Sequence, residues 1–105
     1  MKIYISGAIT GTDDYMERFA KAEKELTERG HSVINPAKVN SQLPEDTTHE
    51  EYMNMSKCML GMCDVIYLLN GWEKSCGANE EFHWAIQSRK IIMFERYEYP
   101  CQDQL

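Results

Sequence analysis

Short apolar runs alternate with amphipathic segments along the chain, and this alternation predicts four strands and three helices. The predicted strands cover residues 2–6, 32–34, 64–69 and 90–94, each bounded by glycine, proline or polar residues. The predicted helices cover residues 14–29, 49–61 and 75–88, where apolar residues recur at spacings of three and four positions. The tail, residues 95–105, is predicted to add an edge strand or to dock on a neighbour.

Each predicted helix has an apolar face that we expect to pack on the sheet. The first helix begins after a cap at Asp13 or Asp14 and ends before Gly30. The segment 37–48 is polar and is predicted to be a loop, either a cover over a site or a surface segment. The predicted apolar faces consist of Met16, Phe19, Ala22 and Leu26, then of Tyr52, Met55, Met59 and Met62, and then of Ala78, Phe82, Ala85 and Ile86.

Because strands and helices alternate, the chain is expected to form right-handed crossovers and a parallel sheet. We therefore predict a single domain over residues 1–105 with a three-layer α/β fold, flavodoxin-like or Rossmann-like. Its sheet would have four or five parallel strands with helices on both faces. Ligands of such sheets bind beyond the carboxyl ends of the strands, where the strand order reverses. The loops 7–12 and 70–74 are expected to meet there.

Composition narrows the classes of function. The chain has 17 acidic and 11 basic residues and a net charge of -6, so it lacks the basic surface that a nucleic-acid polymer requires. No apolar run approaches the roughly 20 residues that cross a bilayer, and the first residues lack a signal-peptide layout. We therefore expect a cytoplasmic protein without a membrane partner. The scattered cysteines and histidines lack the paired spacing of zinc sites, so neither a metal nor a disulfide framework is expected.

The start of the third predicted helix is the best candidate for chemistry. Ser75, Gly77 and Glu81 follow the apolar run 65–69, so a hydroxyl, a bare backbone and a carboxylate come directly after a buried strand. Free N–H groups at a helix start attract phosphate, and a nearby carboxylate can act as a nucleophile or a base. The same residues also suit an ordinary capped helix, in which acidic side chains favour the positive end.

Glu80 and Glu81 are adjacent, and helical geometry distinguishes them. Successive helical residues differ by about 100°, which places Glu80 nearly opposite the apolar face, in solvent. Glu81 lies on the flank of that face, one turn from Gly77 and one turn from Ala85, and small neighbours let a ligand approach. We predict that Glu81 is the functional carboxylate.

Four other candidates have two interpretations each. Asp64 is either a ligand contact or a turn residue, and Tyr4 is either a catalytic residue or a core residue. Trp72 can stack on a base or cover the end of the sheet. The segment 6–9 can bring bare backbone to a phosphate, although it has neither the Walker pattern nor the glycine pattern of dinucleotide sites.

Together these residues resemble the nucleoside 2-deoxyribosyltransferase superfamily over most of the chain. The resemblance is strongest to a small branch from phages and bacteria, near the 2′-deoxynucleoside 5′-phosphate N-hydrolases. That branch has a Tyr-Ile-Ser-Gly start and a Gly-Trp…Ser-x-Gly-Ala-x-x-Glu segment, here residues 71–81. The matching residues are Tyr4-Ile5-Ser6-Gly7-Ala8-Ile9, Asp64-Val65-Ile66 and Ser75-Cys76-Gly77-Ala78-Asn79-Glu80-Glu81, followed by Ala85.

The resemblance implies cleavage of an N-glycosidic bond in a nucleoside or its 5′-monophosphate. Glu81 would attack C1′ of the sugar and form a covalent intermediate, which water or a second base then resolves. Tyr4 would orient the carboxylate, and Asp64 would lie near the base. Ser75 and Gly77 would bind a phosphate, which the aspartate of free-nucleoside transferases at position 75 would repel. The remaining expected substrate contacts are Ser6, Gly7, Ile9 and Trp72.

The resemblance also implies partners. Family members assemble as homodimers or larger oligomers, and Tyr97 and Tyr99 of the tail would suit such an interface. No cofactor is required, because a carboxylate and a hydrogen-bonded leaving base suffice. One departure is Thr10, where the hydrolase branch often has arginine. Two alternative functions are a non-catalytic nucleotide-binding module and a glycohydrolase of NAD or an ADP-ribose derivative.

Overall fold

The structure, a computed structural model, describes residues 1–9 and 11–95. A short 3₁₀ turn, Trp72–Lys74, precedes the last helix. The predicted tail strand, together with Tyr97 and Tyr99, lies outside the described residues. The elements are β1 (Lys2–Ser6), α1 (Tyr15–Glu28), β2 (Ser32–Ile34), α2 (Pro36–Asn40), α3 (His49–Gly61), β3 (Val65–Leu68), α4 (Cys76–Gln87) and β4 (Ile91–Phe94). Across these residues, no helix combines the length and the apolar character needed to span a bilayer.

The four strands form one parallel sheet in the order β2-β1-β3-β4. Tyr4 pairs with Ile34 of β2 on one side and with Ile66 of β3 on the other. The chain moves outward from β1 to β2 and then crosses back over β1 to β3, so the strand order reverses between β1 and β3. This arrangement confirms the predicted α/β fold and places the loops after β1 and β3 side by side.

The side chains of β1 are divided between the two faces of the sheet. Ile3 and Ile5 pack against α1, in a core that includes Phe19. Tyr4 points to the opposite face and packs with residues of α3 and α4, including Leu60. Because side chains alternate along a strand, Ser6 shares the face of Tyr4. The sheet therefore presents two hydroxyl groups toward the α3 and α4 layer.

The predicted apolar faces of the helices are correct in the middle and wrong at the ends. Met16, Met62 and Ile86 are exposed, whereas Tyr15 packs against the core where Met16 was expected. The reason is helical phase: Tyr15 continues the spacing of four and three positions set by Phe19, Ala22 and Leu26, whereas Met16 lies about 100° further round the helix. The side chain of Asp14 forms no cap hydrogen bond at the start of α1.

The predicted loop 37–48 instead begins within a short helix, α2. The side chain of Asn35 caps this helix by accepting a hydrogen bond from the N–H of Lys38 at 3.3 Å, and Pro36 occupies its first turn. An Asn-Pro pair ends a strand, but it also favours the start of a helix. This preference for a helix start was the signal for α2 in the sequence. Ala37 is buried, so α2 packs against the rest of the fold and is not a surface segment.

Candidate active site

A cavity of about 280 Å³ lies at the carboxyl end of β1. Its size is near the lower end of small-molecule pockets. The loop after β1 and the first turns of α4 form one side, and α1, α2 and α3 close the others. Most of the predicted site residues are in its wall: Tyr4, Ser6, Gly7, Ile9, Ser75, Gly77 and Glu81.

Glu81 is held in this wall by two hydroxyl donors from β1. The hydroxyl of Tyr4 donates to Oε2 at 2.6 Å, and the hydroxyl of Ser6 donates to Oε1 at 2.7 Å. Only 7% of Glu81 is exposed, and Ala78 and Ala85, one turn to either side, are also buried. Both carboxylate oxygens are thus oriented, and each keeps a further lone pair for an incoming group.

The protonation states follow from burial and these hydrogen bonds. Burial raises the pKa of Glu81, and hydrogen bonds from Tyr4, Ser6 and Ser56 lower this pKa in part. Burial, and after it the charge of Glu81, raises the pKa of Tyr4 well above its ordinary value. Tyr4 therefore remains a hydrogen-bond donor. A desolvated carboxylate fixed by neutral donors is suited to nucleophilic attack.

The start of α4 is a capped helix that also leaves hydrogen-bond donors facing the cavity. Oγ of Ser75 accepts a hydrogen bond from the N–H of Ala78 at 3.1 Å, as expected of an N-cap residue. Within the described part of the chain, the N–H groups of Cys76 and Gly77 have no hydrogen-bond acceptor. The Ser75 hydroxyl can still donate its proton. The two interpretations of Ser75 are therefore compatible.

Two glycines allow the close approaches that shape the cavity. A Cβ on Gly7 would lie 3.0 Å from the side chain of Leu69, so only glycine fits where β1 and β3 end side by side. A Cβ on Gly77 would lie 3.4 Å from Sδ of Met53. Gly77 is therefore the point at which the first turn of α4 contacts α3.

Asp64 and Trp72, both predicted to be in the site, are not in the cavity wall. Asp64 is exposed at the amino end of β3, where its carboxylate accepts a hydrogen bond from the N–H of Lys2 at 3.1 Å. The length of β3, about 13 Å, separates it from the cavity. The ring of Trp72 packs on those of Phe82 and Phe94, at 4.8 and 6.3 Å between centroids. Trp72 thus covers the end of the sheet, and Asp64 is a strand-start residue.

The sequence analysis missed the contribution of α3 to the cavity. His49, Tyr52, Met53 and Ser56 occupy successive turns of one helix face and line the wall. Ser56 is buried next to Tyr4 and Glu81. The predicted apolar face of α3 included Tyr52 but passed over His49, Met53 and Ser56. Polar residues recurring at spacings of three and four positions were the available signal. The walls from α1 and α2 include Tyr15, Phe19 and Asn40, which were also missed.

Solved structures of similar fold include two enzymes. One is a 2-deoxyribosyltransferase from the psychrotolerant bacterium Bacillus psychrosaccharolyticus, with 18% identity and a TM-score of 0.72; the match covers 100% of this chain and 82% of that chain. The other is the CMP N-glycosidase BcmB of Clostridium botulinum, with 18% identity and a TM-score of 0.57, covering 94% of this chain and 75% of that chain. The predicted resemblance to the deoxyribosyltransferase superfamily is thus confirmed in its fold.

Family assignment rests on the sequence itself. No curated protein matches the chain. The family described as "Domain of unknown function (DUF4406)" matches residues 1–94, which contain every element from β1 to β4. The chain therefore belongs to the DUF4406 family.

Proposed function

We propose that this chain cleaves the N-glycosidic bond of a nucleoside 5′-monophosphate and that Glu81 is the nucleophile. The observation that carries the proposal is the geometry of Glu81: a buried carboxylate in a cavity wall, fixed by the hydroxyls of Tyr4 and Ser6. The names of two proteins of similar fold, a 2-deoxyribosyltransferase and a CMP N-glycosidase, support this class of reaction.

The proposed reaction has two displacements at one carbon. A carboxylate oxygen of Glu81 forms a bond to C1′ while the C1′–N bond breaks, and the electron pair leaves with the base through an oxocarbenium-like transition state. Water then attacks C1′, the bond to Glu81 breaks, and the proton of the water passes to solvent or to the departed base. A second base in place of water gives transfer. Tyr4 and Ser6 keep the carboxylate aligned for both steps.

The start of α4 is the proposed phosphate site. The N–H groups of Cys76 and Gly77, which have no acceptor among residues 1–9 and 11–95, and the hydroxyl of Ser75 offer three donors at the positive end of a helix. Glu81 lies six residues after Ser75, which is about 9 Å along the helix axis. A sugar carrying a 5′-phosphate can occupy this interval, with C1′ toward Glu81.

A panel assay tests the proposal directly. Ribo- and 2′-deoxyribonucleosides, their 5′-monophosphates and NAD are incubated with the protein, and released base is quantified by liquid chromatography. We expect base release from at least one monophosphate and slower release from the matching nucleoside. Tight nucleotide binding without turnover would instead support a binding module, and nicotinamide release would support an NAD glycohydrolase.

Ser6→Ala should shift the pH dependence of base release. The reaction requires ionised Glu81, so the rate rises with pH through the pKa of Glu81, which burial raises above the ordinary carboxyl value. The Ser6 hydroxyl lowers that pKa, and its loss raises it further. We expect the acidic limb of kcat/KM to move to higher pH in Ser6→Ala. An unchanged limb in the pH–rate profile would show that another group controls it.

A further inference from the structure

The cavity wall carries little positive charge for a site that would accept a phosphate. Among the described residues, the wall contains no lysine or arginine, and its one basic side chain is that of His49. Glu81 adds a carboxylate to the same wall. A phosphomonoester carries about -1.5 to -2 charges near pH 7. A 5′-phosphate bound in this cavity would therefore gain from a further side-chain donor beside the start of α4.

The contact between Met53 and Gly77 sets the relative height of α3 and α4. α3 ends before the amino end of β3, and α4 begins after its carboxyl end, so both helices run antiparallel to the strands and parallel to each other. Sδ of Met53 would lie 3.4 Å from a Cβ on Gly77, so the side chain of Met53 contacts the first turn of α4.

This register brings His49 to the mouth of the cavity. His49 precedes Met53 by four residues, about 6 Å along α3, and Ser75 precedes Gly77 by two residues, about 3 Å along α4. His49 and Ser75 therefore both lie on the amino-terminal side of the contact between Met53 and Gly77. His49 is exposed, lies on the same helix face as Met53, and lines the cavity together with Ser75. The two side chains thus flank one opening.

We propose that His49 donates a hydrogen bond to the 5′-phosphate of the substrate, from the side opposite Ser75, and thereby makes the site prefer nucleotides to nucleosides. This inference rests on the proposed function. Ser56, beside Glu81, lies seven residues from His49 on one face of α3, about 10 Å along the axis. The sugar would lie against Ser56 and Met53, and its phosphate would lie between His49 and the start of α4. An imidazole donates an N–H whether neutral or charged.

The test compares affinities with and without the phosphate. Titration calorimetry measures binding of the four ribonucleoside 5′-monophosphates and of the matching nucleosides to the wild type, His49→Gln and His49→Arg. We expect the wild type to bind at least one monophosphate more tightly than its nucleoside. In His49→Gln the ratio of the two affinities should fall about tenfold, the effect of losing one charge-assisted hydrogen bond. His49→Arg, which places an N–H donor at the same position, should retain the preference.

The matched control is His83→Gln. His83 is exposed on α4 and does not line the cavity, so this variant should keep the wild-type ratio. A wild type that binds no monophosphate better than its nucleoside would overturn the inference, and so would a His49→Gln variant with an unchanged ratio. Base release, measured in parallel, separates the two proposals. Retained base release with an unchanged ratio rejects only the role of His49, whereas a His49-dependent ratio without base release rejects only the catalytic role of Glu81.

Discussion

Replacing Glu81 with glutamine is expected to abolish base release, with a loss on the order of 10⁴-fold in kcat. Glutamine has nearly the same shape and can still contact the hydroxyls of Tyr4 and Ser6, but its amide is not a nucleophile toward C1′. The measurement is single-turnover base release from the best monophosphate of the panel. Nucleotide binding by the variant should persist, because the phosphate contacts at the start of α4 are unchanged.

The adjacent residue provides the control for this variant. Glu80 is exposed and outside the cavity wall, so Glu80→Gln changes the charge of the protein by the same amount and removes only the smallest contribution to the raised pKa of Glu81. We expect its kcat to stay within about twofold of the wild type. If Glu81→Gln retained substantial base release, Glu81 could not be the nucleophile.

Glu81→Gln should also make the fold more stable in alkaline solution. Burial raises the pKa of Glu81 above its value in the unfolded chain. The stability contributed by such a group is present below the unfolded pKa and is lost as pH rises through the folded pKa. Glutamine avoids that loss, so the free energy of unfolding should increase by about 0.5–2 kcal/mol at pH 8, as for other relaxed active sites. Urea unfolding at several pH values should show the difference shrinking toward low pH.

Tyr4→Phe should lower kcat by about 10²-fold, the effect of removing one preorganised donor. The variant loses the 2.6 Å hydrogen bond to Oε2 of Glu81 but keeps the ring in the core. Because this bond also lowers the pKa of Glu81, the acidic limb of the pH–rate profile should move to higher pH. Steady-state kinetics across the pH range measures both effects.

Tyr67→Phe is the matched control for Tyr4→Phe. Tyr67 is a buried tyrosine of β3, but its side chain packs on the α1 face of the sheet, away from Glu81. The kcat and the pH profile of Tyr67→Phe should match those of the wild type. Equal losses in the two variants would indicate a general effect of removing a tyrosine hydroxyl from the sheet and would count against a specific role of Tyr4.

Local patterns were sufficient for the elements of this fold but not for their ends. Alternation of apolar runs with amphipathic helices predicted β1 to β4 and the three long helices, because burial of an apolar face drives each element. The exposed positions Met16, Met62 and Ile86 depend on which side of each helix turns toward the sheet, and the packing of the whole fold decides that. The short helix α2 was missed because Asn35-Pro36 was interpreted only as a strand stop.

Asp64 lies outside the cavity wall for a topological reason. The resemblance matched this residue to an aspartate near the base, yet Asp64 precedes β3, and in a parallel sheet the ligand lies at the opposite, carboxyl edge. Strand direction alone would have excluded it. Ser56 was overlooked for the reverse reason: it lies within a helix far from any recognised motif, and only packing brings it beside Tyr4 and Glu81.

By itself the sequence determined the alternation of strands and helices, the Ser75 cap and the choice of Glu81 over Glu80, since each depends on residues within two helical turns of one another. Only the tertiary structure decided which groups surround that carboxylate. Tyr4 and Ser6 are 77 and 75 residues away from it, and His49 lies on a separate helix. Contacts at such separations depend on strand order and helix register, which no local pattern encodes.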